Sequence, residues 1–324
     1  MRITYSQTTD GLEVALTALA RGDTAALTPY LYEIASSIKL SNTLVNVHCH
    51  CLKLDGNGRP RLNDLIAKTA QYILNFAIPR SHIKDAIEKA QHTGDTSQFA
   101  KLHNQARNLF TTLIKSGEGG ELLLFVIAET YLYLPQLLCK MDFKTDEEMH
   151  IHGADGVHCG LSRYGDRLCL YWGESKVYKN FTRAVTDCLR SLAPILKAES
   201  TGERPIAREL QLLTRRLDLA NEKLQEKLLF FLDPDEEGWN QTEMCGVCLV
   251  AFDYHYYPEG PSKKTVDEIA QHVTEELPNW IKTIKDNTNK VDVQDFHIHF
   301  VLLPIPSSQE FRHQMRAHLG VTDE

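Results

Sequence analysis

One stretch limits the possible folds of this chain more than any other: the alternating segment between residues 155 and 176. Leu168, Leu170, Trp172, Glu174 and Lys176 fall on every second position, so in a strand they share one face. Upstream, Asp155, Val157, Cys159 and Leu161 do the same, and Tyr164-Gly165-Asp166-Arg167 between the two runs is turn-forming. A β-hairpin over roughly 151–177 follows. With a two-residue loop at Tyr164-Gly165, Asp155 stands opposite Glu174. With the loop at Gly165-Asp166 it stands opposite Lys176 and diagonal to Glu174. In both registers the three charged groups share a face that is otherwise apolar, with side chains about 5–7 Å apart; a three-residue loop would separate them.

Charges placed this way need a reason. Two carboxylates at the end of an apolar face repel and lose hydration, at several kcal/mol per unpaired ion. One lysine does not neutralise both, whereas a divalent cation does. Mg²⁺ (or Mn²⁺) takes carboxylate oxygens at about 2.1 Å and keeps waters, so Asp155 and Glu174 are the expected ligands. Lys176 is then placed to position or deprotonate a metal-bound water or to stabilise charge on a phosphate. A fourth group comes from the helix after Ser116-Gly117-Glu118-Gly119-Gly120-Glu121, with Ser116 as N-cap and Pro135 limiting its far end. Glu121 shares a stripe with Leu124, Phe125 and Ala128 and is expected to point toward the sheet as an outer ligand; Glu118 competes from the more frayed end.

Around this hairpin the pattern predicts a helix at Leu12–Ala20, a strand at Leu44–Leu54 ended by the Asp55-Gly56-Asn57-Gly58 turn, and helices over Arg61–Ala77 and from Ser81 into the low 90s. His92–Ser97 reads as a loop. Beyond the hairpin come helices at Phe181–Leu196 and about 205–231, a buried strand at Met244–Phe252, a helix near 265–285 and a strand at Phe296–Leu303. The fold class is α/β, read as α-β-β-α-β with additions. We place a boundary near 105–115, giving an N-terminal region of mixed α/β character (1–108) and a catalytic domain (109–324). No internal repeat or low-complexity tract interrupts the chain.

Gly117-Glu118-Gly119-Gly120-Glu121, His152-Gly153-Ala154-Asp155-Gly156-Val157-His158 and Gly173-Glu174-Ser175-Lys176, in that order on suitable elements, resemble the PD-(D/E)XK nucleases, and more closely the nuclease subunits of Hachiman anti-phage defence systems. The resemblance covers about 115–305; Ala154 stands where the superfamily motif has Pro. It implies a restriction-endonuclease-like α-β-β-β-α-β core and a Mg²⁺-dependent DNA-degrading effector using Glu121, Asp155, Glu174 and Lys176. It also implies a helicase partner that restrains the effector, for which residues 1–108 are the expected docking region.

Each feature also has a plainer explanation. Glu174 and Lys176 make an ordinary ion pair at a strand end, Asp155 beside glycine suits a turn, and Glu121 complements a helix dipole. The alternative functions are a non-catalytic adaptor with a nuclease-like fold, and a zinc hydrolase built on His150, His152 and Asp155, with His297 and His299 repeating the His-x-His spacing. His152 or His158 touching substrate is a lesser alternative. Cys245-Gly246-Val247-Cys248 lies in a continuous apolar run and reads as core strand, not half a zinc knuckle; His48-Cys49-His50-Cys51 alternates as a strand does. Arg215-Arg216 reads as a solvated helix face.

Net charge is −8, which disfavours a protein that coats nucleic acid through a basic surface and favours one whose DNA capture is shared with a partner. No apolar run approaches the roughly 20 residues of a membrane span, and the first residues lack a signal-peptide pattern, so a cytoplasmic protein without membrane attachment is expected. There the eight cysteines are expected as reduced thiols.

Overall fold

The computed structural model describes residues 12–21, 23, 25–111, 117–139, 154–197, 213, 214, 217 and 219–320. Six strands form one mixed sheet: β1 (Leu31–Lys39), β2 (Val45–Leu52), β3 (Gly156–Leu161), β4 (Leu168–Tyr178), β5 (Thr242–Asp253) and β6 (Ile298–Ile305). Their spatial order is β1-β2-β6-β5-β4-β3. The inner four run parallel, and β1 and β3 close the two edges antiparallel. Inner strands buried on both faces need continuous apolar sequence, and Met244–Phe252 supplies it, every residue being buried.

Ten helices accompany the sheet among the described residues: α1 (Leu12–Leu19), α2 (Leu62–Ala70), α3 (Ile73–Ala77), α4 (Arg80–Thr93), α5 (Ser97–Thr111), α6 (Glu118–Thr130), α7 (Phe181–Leu196), α8 (Glu222–Leu232), α9 (Val266–Lys290) and α10 (Ser308–Leu319). α6 and α7 cover opposite faces of the strands that carry the candidate site. α6 lies close because glycines let it: a Cβ on Gly120 would sit 3.1 Å from both Ser175 Oγ and Val177 Cγ2, and one on Gly173 would sit 3.0 Å from Leu124. On the other face α7 reaches Gly246, where a Cβ would meet Leu192 at 2.5 Å, and the Cys188 thiol donates to the carbonyls of Glu174 and Leu249. α9 starts at a capping box, Thr265 with Glu268, and its Trp280 packs edge-on against Phe252 and at a tilt against Phe181, at centroid distances of 4.9 and 5.8 Å.

The β2, β3–β4, β5 and β6 expectations meet strands within a few residues. β1, α5 and α10 are additional, and α2 and α3 divide the helix expected over Arg61–Ala77. The expected Ser116 cap lies outside the described residues, and the residue preceding the helix is Gly117, without a side-chain cap. Two larger expectations concern the order of elements and the domain boundary. Only Lys179 and Asn180 separate β4 from α7, so the described order from α6 is α6-β3-β4-α7-α8-β5, with residues 140–153, between α6 and β3, outside the described residues. The boundary at 108/109 does not separate layers: β2, from the N-terminal region, pairs in parallel with β6, from the other side of the boundary. The apolar core runs continuously across both segments.

Candidate active site

The hairpin register is Gly156↔Gly173, Val157↔Trp172 and so on to Leu161↔Leu168, and Asp155 N–H donates to the Gly173 carbonyl at 2.8 Å. Continued by one position, this sets Asp155 opposite Glu174, the first of the two registers the sequence allowed. The connection is a turn from Ser162 to Arg167, closed by Gly165 N–H to Ser162 O, with Gly165 at φ 70°.

Glu174 and Lys176 point to the α7 face as a salt-bridged pair, with side chains 5% and 17% exposed. Burial first, then the nearby Asp155 charge, push Glu174 up to about 7; Lys176 and a side-chain hydrogen bond with Ser191 of α7 only partly offset this. Burial would lower Lys176, but the adjoining Glu174 carboxylate outweighs it and holds the ammonium above its ordinary value. Both shifts describe one shortage: two carboxylates share one cation where water is scarce.

Asp155 is half-buried at the entrance to β3. Its Oδ2 accepts from both the backbone N–H and the hydroxyl of Ser175, each at 2.7 Å, and its Oδ1 carries no hydrogen bond among the described residues. Ser175 belongs to the site although the sequence reading passed over it. Its side chain points to the α6 face, away from Glu174 and Lys176, and so draws Asp155 toward the strand edge. The only signal was its place between the two charged residues.

The structure thus brings Asp155, Glu174 and Lys176 together. Glu121 is buried in the first turn of α6, on the helix that meets β4 at Ser175 and Val177, hence over the opposite face from Glu174 and Lys176. Glu118 is buried beside it. α6 is enclosed on nearly all sides, Gly120 through Thr130 being buried without interruption, so its periodicity marked no single face.

The histidines take other places. His150 and His152, like Arg215 and Arg216, lie outside the described residues. His158 is buried with Nδ1 donating to Leu134 O at 2.9 Å, and burial lowers it to about 4, so it is a neutral core residue and not a substrate contact. His299 meets His48 ring nitrogen to ring nitrogen at 2.9 Å, and His297 lies against Glu243, neither beside Asp155. Cys245 and Cys248 are fully buried on opposite faces of β5, as a core strand requires.

What fold and geometry define is a mixed α/β protein whose sheet gathers two acids and a lysine at one strand end. No helix among the described residues is long and apolar enough to cross a membrane. The chain belongs to the HamA family, whose model matches residues 28–319, and by that family it is a component of the Hachiman defence type. No curated protein matches it.

Proposed function

We propose that this chain is a metal-dependent DNA nuclease of the PD-(D/E)XK type, the effector of a Hachiman defence complex under the control of a helicase partner. The observation that carries the reading is the convergence of Asp155 and Glu174, from facing strands, on a single lysine. The donor set fits a hard divalent cation: it consists of carboxylate oxygens, one of which, Asp155 Oδ1, makes no hydrogen bond among the described residues. When bound, Mg²⁺ or Mn²⁺ supplies an acidified water and neutralises charge on the scissile phosphate.

The chain's own groups do the rest. Ser175 fixes Asp155 through two hydrogen bonds and leaves its second oxygen for a ligand. Ser191 and Lys176 orient Glu174. Lys176, kept protonated by its partner, acts as a charged donor toward water or phosphate, not as a base. Glu121 takes an outer place on the Asp155 side, since α6 meets β4 at the residue that holds Asp155. With net charge −8 the chain has little nonspecific attraction for phosphate, so the helicase supplies most of the DNA affinity.

Purified protein incubated with plasmid and linear DNA, alone and with the helicase, should cleave with Mg²⁺ or Mn²⁺ and not with EDTA. Glu174→Ala and Lys176→Ala should abolish cleavage with little change in thermal melt. Cleavage at the unsubstituted rate by both variants would rule the site out.

A further inference from the structure

We infer that Cys169, Cys245, Glu243 and His297 form a second, separate metal site, a four-ligand clip for zinc. Cys169 begins the outer stretch of β4, Glu243 and Cys245 begin β5, and His297 stands just before β6. One ligand atom from each of Cys169, Glu243 and Cys245 lies within 4.8 Å of the others. The Glu243 carboxylate is divided in its loyalties: Oε1 is bound by Arg167 at 2.8 Å, while Oε2 turns to Cys169 Sγ at 3.9 Å and to His297 Nε2 at 4.0 Å. The Cys245 thiol lies against the Glu243 carbonyl at 3.7 Å.

Geometry and chemistry both favour zinc. Bond lengths of about 2.3 Å to sulfur and 2.0–2.2 Å to nitrogen and oxygen imply ligand separations of roughly 3.4–3.8 Å in a tetrahedron. The 3.9 Å between Cys169 and Glu243 needs only a few tenths of an ångström of contraction, whereas His297, 4.0 Å from Glu243 and outside the three-residue cluster, must swing its half-exposed ring toward the two sulfurs to complete the set. Two thiols, an imidazole and one carboxylate make a borderline-soft set that suits Zn²⁺ and not Mg²⁺. On binding, each thiol gives its proton to solvent and becomes a thiolate ligand. Arg167 is the positioning residue, holding the carboxylate so that its second oxygen faces inward.

The two sites do not overlap. Cys169 points to the face opposite Glu174, and at about 3.3 Å per residue the two lie roughly 16 Å apart along β4. Four protein ligands leave no open position, so the role is structural: one ion would tie together the starts of three adjacent parallel strands.

The test uses the full-length protein, reduced and stripped with EDTA, then titrated with Co²⁺ and back-titrated with Zn²⁺. With excess Mg²⁺ present to occupy the Asp155–Glu174 site, one equivalent should bind, with a thiolate-to-cobalt charge-transfer band and the intense visible bands of tetrahedral cobalt, bleached by Zn²⁺. Cys169→Ser and Cys245→Ser should lose the charge-transfer band, Cys248→Ser, on the opposite face of the same strand, should keep it, and Arg167→Ala should weaken zinc binding about 10–100-fold. A weak octahedral spectrum, no stoichiometric cobalt, or an unchanged band in Cys169→Ser would overturn the proposal. The spectrum of the unsubstituted protein decides independently of whether any variant folds.

Discussion

The acid at position 174 should leave a readable mark on stability. In the folded, metal-free protein its carboxyl is raised from 4.5 to about 7. Between those values the unfolded chain has released its proton while the folded chain still holds it, so each pH unit of rise costs the folded state about 1.4 kcal/mol. The stability is complete below 4.5, is lost as pH climbs through 7, and changes no further above it; the full span is on the order of 3 kcal/mol. A chain of 324 residues has an unfolding entropy of about 0.7 kcal/mol/K, so the melting point should fall by roughly 5 °C from this group. Other groups titrate in the same range, so the measurement is a difference: calorimetric melts in EDTA of the unsubstituted protein and of Glu174→Gln, at steps from about pH 4.5 to about pH 8.5. Glutamine does not ionise, and Lys176 stays charged throughout. The melting-point gap, glutamine variant minus unsubstituted, should therefore widen with pH up to 7 and then level, whatever its starting value. A gap that stays constant over that range, or narrows, would show that Glu174 is not held at a raised affinity for its proton.

Other outcomes follow from the same contacts. Asp155→Asn keeps an acceptor for Ser175 but removes the like charge beside Glu174, so the metal-free variant should melt no lower than the unsubstituted protein at pH 8 while losing the stabilisation by millimolar Mg²⁺; equal metal shifts in both would count against Asp155 as a ligand. Lys176→Arg should fail to cleave, because a bulkier planar group does not replace a compact ammonium, and Ser175→Ala should cut cleavage by about tenfold through the loss of one hydrogen bond to Asp155; normal rates in either would refute those roles. A 109–324 chain loses β1 and β2 and bares the edge of β6, so it should aggregate; a soluble, cooperatively melting fragment would restore the separate N-terminal domain that the sequence led us to expect.

The hairpin was legible because alternation over Leu168–Lys176 admits little but a strand, and two registers remained because the position of the two-residue turn was open. β1 was not, since its ladder with β2 is broken twice and its burial is mixed, which erases the period. Which face of the sheet Glu121 lies over was not legible, because a helix buried all round has no apolar stripe to read. Ser175 stayed hidden because its role comes from a bond to a residue on another strand. The cysteine cluster was out of reach for the same reason: Cys169 and Cys245 meet only through the parallel β4–β5 pairing, while the sequence offered Cys248 as the nearer mate.

The strand order has a consequence for synthesis. β6 is the last of the six described strands to leave the ribosome, yet it sits between β2 and β5 in the middle of the sheet. Until it emerges, the nascent chain holds two half-sheets, each with an unpaired edge that invites wrong partners. Closure pairs residues as far apart as His48 and His299, separated by 251 positions, which makes assembly slow and dependent on nearly the whole chain. A translation product cut short before residue 298 has no central strand to join its halves, so a truncated effector should be a target for proteolysis and not a premature enzyme.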